Sequence, residues 1–128
     1  MKLLLDTHAF LWAVSEPARL PARVRSVVRR RENELFVSAA SAWEIATKFR
    51  LGKLPGADVV IAGFSDLLLE LRASDLPIAR MHALRAGGYT QPHADPFDRT
   101  LVAQAEIEEM ILVSKDRALR QFGVELLW

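Results

Sequence analysis

Five short apolar runs, separated by stretches of helical length and spacing, constrain this chain more than any other feature. They read "KLLLD" at 2–6, "LFVS" at 35–38, "DLPI" at 75–78, "MILVS" at 110–114 and "VELLW" at 124–128. Near-continuous apolar runs mark strands buried on both faces, as in parallel sheets, whereas alternation marks half-exposed ones. Helical spacing and start signals such as Pro21 and Pro96 predict helices over 7–14, 21–32, 39–51, 57–72, 79–86, 96–108 and 115–121. Strand–helix alternation of this kind predicts an α/β fold, a doubly wound parallel sheet covered on both faces.

The 128 residues suit one domain, 1–128, large enough to bury a core unaided. Pro55 and Gly56 punctuate a helix–helix junction, and Gly87, Gly88, Gln91 and Pro92 predict a loop; neither stretch reads as a domain linker. With 51% hydrophobic and 26% charged residues the chain is globular rather than disordered. Cysteine is absent, which excludes thiolate nucleophiles, disulfides and Cys-ligated zinc. The N-terminal run is broken by Asp6 and lacks a small-residue cleavage site, so it reads as mature structure, and no uncharged stretch approaches bilayer length. A cytoplasmic location without membrane contact is the expectation.

A net charge of +1 carries no global nucleic-acid signal. Locally, Arg19, Arg23, Arg25, Arg29, Arg30 and Arg31 form either a phosphate-attracting patch or the solvated face of a helix built on Val24, Val27 and Val28.

Ligands of open parallel sheets sit beyond the carboxyl ends of the strands. Asp6 follows the first run, Glu44 lies in the helix after the second, and Asp98 opens the helix before "MILVS". Asp116 comes just after that run. Each has a structural competitor. Asp6 and Asp116 can cap the helices that follow them, and Glu44 can close a capping box from Ser41 or pair with Lys48. Asp95 before Pro96 is a strong N-cap candidate. Asp98 fits that bland account less well, because it shares a face with Leu101, Val102 and Ala105, where an unpaired carboxylate is costly.

Four carboxylates in one pocket raise one another's pKa unless a cation neutralises them, and Mg²⁺ or Mn²⁺ suits oxygen ligands. Ions so held support metal-assisted phosphodiester hydrolysis. No phosphate-cradling glycine motif is present, and His8, His82 and His93 form neither a triad nor a zinc motif. His93 and Arg99 flank the acids, within reach of a substrate phosphate or simply as polar surface. Phe10, Trp12, Trp43, Phe49 and Phe97 read as core or interface aromatics.

The blocks "LLLDTHAFLW", "SAASAWEIATKFRLGKL", "HADPFDRTLVAQA" and "ILVSKDRAL", in this order, closely resemble the PIN domain family, in particular its VapC-like toxins from toxin–antitoxin pairs. The resemblance spans nearly the whole chain and implies a single three-layer α/β/α PIN-like domain with a mostly parallel central sheet. It also implies Mg²⁺- or Mn²⁺-dependent endoribonuclease activity. The family's acidic quartet falls on Asp6, Glu44, Asp98 and Asp116 as metal and catalytic residues. Thr7, Ser41, Asp95 and Arg99 stand around them as orienting or substrate-contacting residues. The resemblance implies an RNA substrate, a cognate antitoxin whose tail covers the active site near Phe10, Leu11 and Trp12, and a homodimer. Two rivals from other classes are a phosphoacceptor signalling domain, which needs its acids at strand ends, and a non-catalytic RNA- or protein-binding scaffold.

Overall fold

The computed structural model describes residues 1–128. Its elements run β1 (Lys2–Leu5), α1 (Thr7–Ser15), α2 (Ala22–Arg29), β2 (Glu34–Ser38), α3 (Ala39–Arg50), α4 (Ala57–Ala62), α5 (Phe64–Leu71), β3 (Ala73–Leu76), α6 (Arg80–Gly88), α7 (Pro96–Ile107), β4 (Ile111–Val113) and β5 (Leu126–Leu127). Short 3₁₀ turns cover Pro17–Arg19 and Arg117–Phe122. The strands form one five-stranded sheet in the order β3-β2-β1-β4-β5, and every pairing is parallel.

Strand β1 shows why its leucines must be apolar on both sides. Leu3 and Leu5 point into one core with Phe10, Val24, Ile45 and Val60, while Leu4 points into the other with Leu101, Leu112, Leu119 and Phe122. All three are fully buried. At about 1.5–3 kcal/mol for each fully buried side chain, this strand anchors both helical layers at once.

Several expectations shift for local physical reasons. The strand expected at 75–78 lies at Ala73–Leu76, because Pro77 has no N–H to give the ladder. The single helix expected over 57–72 breaks into α4 and α5 at Gly63, whose φ of −102° and ψ of 19° leave the helical well. Gly87 and Gly88 belong to α6 rather than to a loop. The Arg99 Nε–H donates to the Ala86 carbonyl at 2.9 Å, satisfying the end of that helix from outside. The last predicted helix, 115–121, is a 3₁₀ turn ended by Gly123 at φ 80°. Helix α2 buries Val24 and Val28 and leaves Arg23 and Arg29 exposed, a solvated face on a packed stripe. Phe10 is core, whereas Trp43 is 59% and Phe49 39% exposed, so neither is core within this chain. No helix is long and apolar enough to cross a membrane.

Candidate active site

The order in which strands are added to the sheet reverses between β1 and β4, so a crevice opens beyond the carboxyl ends of these parallel strands. A cleft of about 640 Å³ occupies that place, and Asp6, Glu44, Asp95, Asp98 and Asp116 all line it.

Each acid arrives by a different local device. Asp6 leaves β1 in extended conformation and caps α1, accepting from the Ala9 amide at 2.8 Å. Burial pushes its carboxyl above the usual range, against opposing hydrogen bonds from Ser114 and Ala9. Glu44 sits on the buried face of α3 and is 4% exposed. The Thr7 hydroxyl donates to Glu44 Oε1 and lies 3.0 Å from Ser41 Oγ, and Lys48 donates to Glu44 Oε2 from one turn on. Burial alone would pull Lys48 down, but this bond and the field of Glu44, Asp95 and Asp98 leave its pKa raised.

Asp95 and Asp98 flank Pro96 and Phe97 at the start of α7 and divide the work. Asp95 is the N-cap, its Oδ1 accepting from Phe97 at 2.8 Å and Asp98 at 3.2 Å, with Pro96 at the first helical position. Asp98 projects into the cleft and hydrogen-bonds only His93 Nε2, at 2.9 Å. Burial pushes its carboxyl up to about 6, and the nearby charges of Asp95 and Glu44 add to the rise. Asp116 caps the turn after β4 through the Ala118 amide at 3.0 Å and is exposed.

A ring nitrogen of His93 and one oxygen each of Asp98 and Asp116 lie within 4.8 Å of one another, a spacing that a single cation can bridge. Asp6 and Glu44 line the same cleft outside this tight trio. Arg99 does not face the cleft. Its guanidinium donates to the carbonyls of Ala86, Tyr89, Gln91 and His93 at 2.5–3.0 Å, so its charge is spent on holding the 89–93 loop.

The sequence reading passed over Ser114, Lys115 and Arg117. Ser114 is buried beside Asp6, where its hydroxyl opposes the rise in the Asp6 pKa, and it accepts from the Asp116 amide at 3.1 Å at the end of β4. A serine between an apolar run and the Asp116 cap was the available signal. Lys115 and Arg117 bring positive charge to the cleft wall, as do His8 and Trp12 an aromatic one.

The profile of the PIN domain family matches residues 3–125. A curated relative, Ribonuclease VapC16 of Mycobacterium tuberculosis, is 38% identical over 66 residues, 50% of this chain and 47% of that protein, so the match spans about half of the relative. VapBC-1 from nontypeable Haemophilus influenzae superposes with a TM-score of 0.70 at 16% identity, covering 99% of this chain and 97% of that one. VapBC2 from Rickettsia felis, solved bound to a DNA fragment from its promoter, gives 0.68 at 13% identity, covering 99% and 98%. At these identities the superpositions speak for the fold.

Proposed function

This chain belongs to the PIN domain family, and on that premise we propose that it is a divalent-metal-dependent endoribonuclease, the toxin of a toxin–antitoxin pair acting in the cytoplasm. The observation that carries the reading is the cleft itself, where carboxylates from four separate segments converge and burial holds two of them above their usual range. Such a site is short of positive charge, and a donor set of carboxylate oxygens fits a hard cation, Mg²⁺ first and Mn²⁺ second.

Asp6, Glu44, Asp98 and Asp116 would hold the ion, which when bound lowers the pKa of an attacking water and offsets charge on the phosphate oxygens. The chain's own groups do the positioning. Thr7, itself in contact with the Ser41 hydroxyl, fixes the Glu44 carboxylate on one side and Lys48 holds it on the other. Lys115 and Arg117 at the cleft wall attract the RNA backbone on the flanks of the scissile phosphate. Ser114 holds the Asp116 backbone at the end of β4.

A second groove, of about 450 Å³, shares His8 and Trp12 with the cleft and is lined by Leu11, Leu54 and Val60. An apolar antitoxin segment lying there would reach the acids directly. Phe10, fully buried, takes no part in that contact. A homodimer belongs to the same proposal and is tested by sedimentation.

The deciding experiment is cleavage of a mixed cellular RNA pool by purified, antitoxin-free protein with Mg²⁺, with Mn²⁺ and with EDTA, beside Asp98→Asn. Discrete fragments that need metal and vanish in the folded variant support the reading. Equal cleavage by wild type and variant overturns it.

A further inference from the structure

His93 has no part in the acidic quartet, yet several polar contacts converge on the loop that places it. Three of the four carbonyls on the Arg99 guanidinium, those of Tyr89, Gln91 and His93 itself, belong to the loop that ends at His93. The His93 amide donates to the Gln91 carbonyl at 2.9 Å, which tightens that loop into a turn. Its ring stands edge-on to Phe122, with centroids 5.9 Å apart, and Phe122 in turn packs edge-on against Tyr89. Arg99 follows Asp98 directly in sequence, so one helical turn carries both the carboxylate and the clamp that brings the imidazole to it.

The clamp delivers a single contact. His93 Nε2 lies 2.9 Å from Asp98 Oδ2, and an ionised carboxylate only accepts, so Nε2 carries the proton and donates. The other Asp98 oxygen has no hydrogen-bond partner in the chain. A carboxylate held at one oxygen presents the other in a fixed direction, the relation that outer hydrogen-bond partners have to metal ligands.

Resting on the metal-dependent reading above, we propose that His93 is a positioning residue for cation capture, fixing the Asp98 carboxylate through one oxygen while Arg99 locks its loop. It acts on the cation through Asp98, as an N–H donor to that carboxylate, rather than as the third ligand of the trio it forms with Asp98 and Asp116.

The test is Mn²⁺ binding to the purified full chain, followed by the loss of the free-ion electron paramagnetic resonance signal, for wild type, His93→Ala, His93→Gln and Asp98→Asn, each checked for folding by circular dichroism. The alanine variant is expected to bind about 10- to 100-fold more weakly. Glutamine, which keeps an N–H donor at similar reach, is expected to restore most of that loss. Wild-type affinity in the alanine variant overturns the proposal, as does a glutamine variant as weak as alanine. If Asp98→Asn also binds like wild type, the metal reading itself has failed, a result distinct from failure at His93 alone.

Discussion

Helix α7 carries acids at both ends, and the two ends treat them in opposite ways. Near the C-terminal end, Glu106 accepts two N–H bonds from Arg85, at 3.0 and 2.8 Å, and a third bond from the Tyr89 hydroxyl. Those partners hold the Glu106 carboxyl below its usual range, while burial and the Glu106 charge push Tyr89 up to about 12. One turn in from the N-terminus, Asp98 has one hydrogen bond and a carboxyl pushed up to about 6.

The helix dipole predicts the reverse, favouring acid at the N-terminus and disfavouring it at the C-terminus, by about 0.3–1 kcal/mol. It loses at Asp98 because each pKa unit corresponds to about 1.4 kcal/mol and burial moves this group further than the dipole can, and at Glu106 the Arg85 and Tyr89 bonds lower the carboxyl against the dipole's direction. The lesson is that position on a helix does not tell a structural acid from a functional one. What surrounds the carboxylate does: Glu106 is held by Arg85 and Tyr89, whereas Asp98 has only His93 and faces the cleft, the arrangement the proposed cation site requires.

Substitutions at the two ends should therefore separate activity from stability. Asp98→Asn is expected to lower metal-dependent RNA cleavage by more than about 100-fold, beyond the usual cost of losing an outer hydrogen-bond partner, read as kcat/KM on a defined RNA. Glu106→Gln should leave that rate within about twofold, since no part of the cleft touches it; a large drop would merge the two ends and sink the distinction.

In metal-free protein the order of stability reverses. An acid whose folded pKa lies above its unfolded value favours folding while protonated, so Asp98 should cost stability progressively as pH rises from about 4 through about 6. Asp98→Asn removes that cost. Urea unfolding at pH 7 in EDTA should find the variant more stable by on the order of 1–2 kcal/mol, discounted for partial exposure. A less stable variant would mean that the His93 bond outweighs the cost of burying the Asp98 charge.

Glu106 has the opposite sign. Its depressed pKa contributes stability above its unfolded value, lost as pH falls through the folded one. Glu106→Gln should destabilise by about 0.5–1 kcal/mol at pH 7, a modest effect because the cluster is exposed to solvent screening. Tyr89→Phe, which removes one bond from the same carboxylate, should cost about 0.5–1 kcal/mol in thermal melts without changing cleavage.

Much of the fold, and the acids of the cleft, were legible in the sequence, but the contrast with Glu106 was not. Leu3, Leu4 and Leu5 announce a strand buried on both faces, and the spacing of Asp6, Glu44, Asp98 and Asp116 places acids after successive elements of a parallel sheet. Asp95 before Pro96 read as a cap, and the structure makes it one. What stayed hidden depended on contacts between distant segments. Nothing near Arg99 in sequence reveals that it will grip carbonyls from α6 and the following loop, and nothing near Glu106 announces Arg85 and Tyr89 across the α6–α7 contact. The break at Gly63 and the shift of β3 ahead of Pro77 were visible as residues, but their consequences are settled by backbone geometry.

The most direct test of an acidic cleft left uncompensated for a cation is calorimetric titration of Mg²⁺ and Mn²⁺ into purified wild type, Asp98→Asn and Glu106→Gln. Saturable binding in wild type and Glu106→Gln, lost in Asp98→Asn, is the predicted result. Equal binding by all three proteins, or none by wild type, would contradict it.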